Sequence, residues 1–144
     1  MKTHLSLTTT DVAKSVEFYS ILLDARPRKV LADYALFVTE EPPLELALDL
    51  AVSVSPSLDA HFGVFMETAE EVERAITRLQ RAGLPSWIER KQTCCYAHQT
   101  KVWAIDPAGR RWELYTVHEE SDERDSGPTC CAGLDGAAVS CCAA

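Results

Sequence analysis

One arrangement of strands and helix occurs twice in this chain, and that duplication narrows the possible folds more than any other feature. His4-Leu5-Ser6-Leu7 opens a short alternating strand. A helical segment follows over residues 11–23, with apolar positions at 12, 16, 19 and 23 on one face and Asp11 placed to cap its start. His61-Phe62-Gly63-Val64-Phe65-Met66 then restarts the pattern, and residues 69–79 carry Val72, Ile76 and Leu79 along one side before Gly83 and Pro85 end the helix. Three strand-like runs follow each helix, at 28–31, 34–39 and 44–50 and again at 87–90, 99–105 and 111–117. The order βαβββ therefore appears twice, with His4 and His61 in equivalent places 57 residues apart. The expected fold is α+β: two modules, at about 1–55 and 56–118, whose four-stranded sheets face each other around a cup.

The 144 residues are one domain's worth of chain, long enough to bury roughly 68–70% of their unfolded surface without staples. A hydrophobic content of 47% argues against general disorder. No apolar run approaches the roughly 18 residues a membrane helix needs, so no membrane partner is expected. Thr3-His4 follows Lys2 where a signal peptide would turn apolar, which points to the cytoplasm. The net charge of −8 is spread along the chain without a basic stripe, and nucleic acid is excluded as a partner on that ground. From Glu119 onward the chain is charged and then rich in Gly, Ser and Ala, a composition that cannot build a core. Residues 1–118 are expected to fold and 119–144 to form a mobile tail.

All six cysteines stand in adjacent pairs, Cys94-Cys95, Cys130-Cys131 and Cys141-Cys142. Neighbouring Cα atoms lie about 3.8 Å apart, whereas a relaxed disulfide wants about 4.4–6.8 Å, so each pair resists closing on itself. Persistence as a dithiol is the expectation, in keeping with a reducing compartment where paired cysteines serve metal or redox chemistry. Two thiolates on consecutive residues form a soft clamp suited to trivalent arsenic, cadmium or mercury.

The segment Asp106-Pro107-Ala108-Gly109-Arg110-Arg111-Trp112-Glu113-Leu114-Tyr115 is similar to the closing turn and last strand of the vicinal oxygen chelate superfamily, which includes glyoxalases, extradiol dioxygenases and bleomycin-resistance proteins. Pro107 and Gly109 favour a tight turn, and alternation puts Glu113, Tyr115 and Val117 on one face. The resemblance covers residues 1–118 and implies that His4, His61 and Glu113 meet at one end of the cup as metal ligands. Two His and one carboxylate suit Fe(II) with positions left open for substrate and O2, although Mn, Co, Ni and Zn accept the same set. Glu45, in Leu44-Glu45-Leu46, reads as the first-module counterpart of Glu113. Were it a fourth ligand, the site would look glyoxalase-like; the preferred reading is a solvent-facing Glu on a strand whose leucines face the core.

Within this superfamily, a Cys-Cys pair in the loop before the seventh strand resembles the carbon–arsenic lyases, and cadmium-induced proteins are similar in outline. The implied function is an Fe(II)- and O2-dependent lyase that demethylates trivalent methylarsenicals to arsenite, with aryl arsenicals as further candidates and the trivalent organoarsenical bound by Cys94 and Cys95. Tyr96 and His98 flank the clamp as candidates for lining the pocket or moving a proton. Trp103, Tyr115, Phe37 and Phe65 are candidate walls whose default role is packing. Cys130, Cys131, Cys141 and Cys142 either deliver arsenicals to the clamp or act as scavengers. Two alternatives stand beside the lyase: a protein that sequesters cadmium or an arsenical, and a glyoxalase-like metal-dependent isomerase. Both a monomer and a homodimer are compatible with the chain.

Overall fold

The computed structural model describes residues 1–57 and 60–124. Ten elements follow in the order βαβββ twice: β1 (Thr3–Thr9), α1 (Val12–Leu22), β2 (Lys29–Val30), β3 (Tyr34–Glu40) and β4 (Pro43–Leu50), then β5 (His61–Phe65), α2 (Ala69–Arg81), β6 (Ser86–Cys94), β7 (Ala97–Ile105) and β8 (Arg111–Glu120). The expected α+β class, with two βαβββ modules, is thus the observed one. Two compact units form, the first from Met1–Ser57 with Ile105–Arg110 and the second, among the described residues, from 60–104 with 111–124.

In the first unit the sheet order is β1-β4-β3-β2. β1 runs parallel to β4, with His4 opposite Glu45 and Ser6 opposite Ala47. Alternation marks one face of this sheet: Leu44, Leu46 and Leu48 are buried together with Ala35 and Phe37, on the face against which α1 packs. Asp11 caps α1 by accepting from the Lys14 amide. The buried stripe of α1 is Val12, Ser15, Phe18, Tyr19 and Leu22, with Leu23 buried just past its end; the expected positions 12, 19 and 23 are thus buried, Val16 is half-buried, and Ser15 turns inward to a 2.7 Å hydrogen bond with Thr9. The β7–β8 turn belongs here too: the fully buried Tyr19 donates to Asp106 at 2.6 Å, and Arg110 donates to the Thr8 carbonyl at 2.6 Å. Gly109, at φ +87, takes the left-handed position of that turn.

The second unit repeats the design, in the order β5-β8-β7-β6. Its helix α2 opens with a full capping box between Thr68 and Glu71, presents Val72, Ala75, Ile76 and Leu79 to β6 and β8, and ends at Gly83, whose φ is +67. β5 runs parallel to β8 with Gly63 opposite Glu113. That register changes the reading of Glu45. Counting back the 57-residue repeat from Gly63 gives Ser6, whose partner is Ala47, so Ala47 occupies the first-module place of Glu113 and Glu45 matches Arg111.

β6 continues to Cys94, well past the expected end at residue 90, and β8 reaches Glu120, past the expected boundary at 118. Beyond β8, the Ser121 amide donates to the Tyr96 carbonyl at 2.7 Å and the Tyr96 amide donates to the Arg124 carbonyl at 3.2 Å. Cys130, Cys131, Cys141 and Cys142, with most of the expected tail, lie outside the described residues. Among the described residues no helix is long and apolar enough to cross a membrane.

Candidate functional site

The cysteine pair sits at the tip of the β6–β7 hairpin. Cys94 ends β6 opposite Ala97, leaving Cys95 and Tyr96 as the two turn residues, at φ +54 and +65. Two consecutive left-handed residues make a type I′ corner, which normally selects Asn-Gly or Gly-Gly; Cys and Tyr there are held against their backbone preference. The turn brings the two sulfurs to 3.5 Å from each other. That is beyond the about 2.05 Å of a bond between them, as the geometry of adjacent residues requires. The expected dithiol is nevertheless not what the structure holds, since both cysteines are disulfide-bonded. Steric resistance applies only to a bond within the pair and leaves each sulfur able to oxidise elsewhere.

Alternation then places Ala97, Gln99, Lys101 and Trp103 on the Cys94 face of β7. Gln99 donates from its side chain to the Cys94 carbonyl at 2.8 Å and fixes the end of β6. Lys101 is almost wholly buried: its Nζ donates to Glu113 Oε2 at 3.1 Å, lies 3.7 Å from Cys94 Sγ, and sits 5.3 Å from the centre of the Trp103 ring. The other carboxylate oxygen, Glu113 Oε1, is 3.4 Å from His61 Nε2. Burial works against the charge on Glu113, but the His61 hydrogen bond and the Lys101 ammonium outweigh it and hold the carboxyl below its ordinary range. Tyr115, beside it, is shifted upward by burial and by the Glu113 charge.

Gly63 makes this arrangement possible. A Cβ there would meet Glu113 Oε1 and Tyr115 Cε1, each at 3.1 Å, so the absent side chain is the space the carboxylate crosses. Trp103 forms the floor, fully buried, edge-on to His61 at 5.1 Å, stacked on Trp87 at 5.5 Å and donating to Glu89 at 3.2 Å. His61, Glu113, Lys101 and Cys94 therefore form one polar line within the second unit.

The other candidates are placed differently. His4 lies in the first unit, its side chain 60% exposed and its Nδ1 3.8 Å from Glu45 Oε2. Among the described residues no three His, Cys, Asp or Glu side chains are grouped to hold a metal ion. His98 points to the opposite face of the hairpin from Cys94, bonded to Thr93 at 3.0 Å and facing Glu119 at 3.7 Å. Tyr96 is exposed at the turn, its ring 5.6 Å from the Arg124 guanidinium. Phe37 is a core residue against Tyr19, whereas Phe65 is 55% exposed and packs edge-on to Tyr115. Lys101 and Gly63 escaped sequence reasoning. The signal for Lys101 was its alternation with Ala97, Gln99 and Trp103 along one face of the strand.

Residues 3–114 match the glyoxalase/bleomycin resistance protein/dioxygenase superfamily. The chain belongs to that superfamily. A "Trivalent organoarsenical cleaving enzyme" of Bacillus sp. (strain MD1) is 42% identical over 130 residues, which is 89% of this chain and 81% of the relative. A "Cadmium-induced protein CadI" of Mycobacterium tuberculosis (strain ATCC 25618 / H37Rv) is 39% identical over 141 residues, 98% of this chain and 92% of that protein. The crystal structure of a glyoxalase/bleomycin resistance protein/dioxygenase from Alicyclobacillus acidocaldarius shares the superfamily fold at TM-score 0.69 with 15% identity, over 83% of this chain and 92% of the other.

Proposed function

We propose that this superfamily member is a carbon–arsenic lyase that uses Fe(II) and O2 to demethylate trivalent methylarsenicals, with Cys94 and Cys95 binding arsenic and His4, His61 and Glu113 binding iron. The observation that carries the reading is the pair of sulfurs 3.5 Å apart, joined through Lys101 to Glu113 and His61 on one sheet face. The name of the 42% identical relative supports the same substrate class. Soft sulfurs select the arsenic while the nitrogen and oxygen donors suit iron, so two elements of different softness are sorted onto neighbouring groups.

The donor chemistry fits iron: His61 Nε2 and Glu113 Oε1 already converge, and Lys101 holds the second carboxylate oxygen as an orienting partner. An Fe(II) ion held there supplies open positions and electrons for activating O2. The chain's own residues do the rest. Once reduced, Cys94 and Cys95 displace the two exchangeable hydroxyls of methylarsonous acid and keep its methyl group attached. The I′ turn fixes the direction of the As–C bond, turning an encounter into a positioned reaction. Trp103 and Trp87 exclude water from the floor of the site. One methylarsonous acid and one O2 give one arsenous acid and one formaldehyde, and the atoms balance without an external reductant.

Turnover by reduced, Fe(II)-loaded protein should stop under strict anaerobic conditions while arsenical binding persists; arsenite release without O2 would overturn the oxidative mechanism. The rival reading is sequestration of a thiophilic species without chemistry. Stoichiometric binding with no arsenite released in air is its signature.

A further inference from the structure

Trp103, the floor beneath His61, is held from several directions, and one of its partners is a buried carboxylate that the proposed chemistry does not use. Its indole is fully buried, lies 8° from parallel with Trp87 at 5.5 Å, and has the Lys101 Nζ 5.3 Å from its ring centre. The indole N–H donates to Glu89 Oε1 at 3.2 Å, and Glu89 is only 4% exposed. His61 stands edge-on to the same indole, 5.1 Å away at an interplanar angle of 72°. We infer that Glu89 is a positioning residue: by fixing the Trp103 indole it sets the direction of the His61 imidazole.

Strand register puts these groups together. Trp87 pairs with Trp103 and Glu89 with Lys101 across β6 and β7, so all four share one face and Glu89 reaches Trp103 diagonally. A buried carboxylate is costly unless hydrogen-bonded, and a bond from N–H to a carboxylate is stronger than one to a neutral acceptor. An indole has one donor, at one end of an asymmetric ring. Turned over about its side-chain bond, Trp103 would carry that N–H away from Glu89 and forfeit a hydrogen bond in the core. The carboxylate therefore selects one of two ring orientations. That orientation decides what wall His61 meets, since rings at this separation settle edge against face. The His61 side chain is 28% exposed, which leaves it room to turn if the wall changes, and its Nε2 now faces Glu113 Oε1 at 3.4 Å.

The effect on His61 needs no metal; the aiming of a metal ligand rests on the iron reading above. The test compares Glu89→Gln, which keeps an acceptor, with Glu89→Met, which matches the length without one, in full-length metal-free protein. Glu89→Leu is a second acceptor-free variant, and circular dichroism checks the fold of each. Two quantities are read: the His61 ring-proton NMR shifts, which the Trp103 ring current sets and a His61→Gln variant assigns, and the affinity for Mn(II), an ion that favours oxygen donors over thiols, from the EPR signal of the free ion. Glu89→Gln should keep the parent's shifts and affinity. Glu89→Met and Glu89→Leu should move or broaden the His61 resonances and weaken Mn(II) binding about tenfold, the usual scale for losing a ligand's support. Parent-like His61 resonances in both acceptor-free variants would overturn the inference, as would a Gln variant that behaves like Met. Moved resonances with Mn(II) affinity unchanged would keep Glu89's hold on His61 and remove His61 from the metal reading instead.

Discussion

At the scale of single residues, the site depends on where one carboxylate lies. Glu113 crosses the space over Gly63, and the substitution Gly63→Ala would set a methyl carbon 3.1 Å from both Glu113 Oε1 and Tyr115 Cε1. The carboxylate must give by a few tenths of an ångström, so Fe(II) or Co(II) affinity measured by titration should fall about tenfold, the usual scale for disturbing a ligand's support, while the fold persists. Unchanged affinity would mean that Glu113 does not bind metal in this pose. Charge at the same residue links to stability. The folded-state pKa of Glu113 lies below its ordinary 4.5, so its contribution is present above that pH and lost as pH falls through the folded value. Thermal unfolding followed from pH 6 to 3 should therefore show a steeper acid loss in the parent than in Glu113→Gln. Some of this was legible in the residue order. His61 and Glu113 were visible through the superfamily's motif, and the structure brings them together. Lys101 was not visible, because its partner Glu113 lies on a neighbouring strand, twelve residues away, that no local pattern announces. Glu45 was misread as the counterpart of Glu113 because Leu-Glu-Leu and Trp-Glu-Leu look alike, while strand register, which sequence does not contain, puts Ala47 in that place.

At the scale of elements, the β6–β7 hairpin is the part that periodicity described least well. Its second half, Arg90-Lys91-Gln92-Thr93, is polar and carries a register irregularity between Glu89 and Gln92, so alternation fades and the strand reads as loop. Cys94 therefore sits on a strand and only Cys95 on a turn, which gives the pair one rigid member. The strain at that corner is testable. Tyr96→Gly removes a side chain from a left-handed position and should raise stability by about 1 kcal/mol in urea unfolding, reduced somewhat by the lost contact with Arg124. A destabilised variant would show that Tyr96 packing outweighs backbone strain. Helices were more legible, since Asp11 caps α1 and Thr68 with Glu71 caps α2 by local chemistry that the sequence spells out. The α1 face holds the expected positions 12, 19 and 23 and adds Ser15, which buries a hydroxyl against Thr9, a partner six residues away that an apolar count ignores.

At the scale of the whole molecule, the duplicated βαβββ order was readable in full from the strand runs and the matching histidines, and the two four-stranded sheets follow it. Less readable was how the chain is shared between the units, because residues Ile105–Arg110 join the first through Tyr19–Asp106 and Arg110–Thr8, pairings about 90 and 100 residues apart in sequence. The proposed reaction releases arsenite and formaldehyde, so its most direct test is of product chemistry. Reduced, Fe(II)-loaded protein is incubated with methylarsonous acid in air beside a Cys94→Ser/Cys95→Ser variant, and arsenic species are separated and quantified over time. The account predicts several equivalents of arsenite per protein from the parent, with matching formaldehyde, and none above background from the variant. Tight binding without arsenite, or equal arsenite from both proteins, would contradict it.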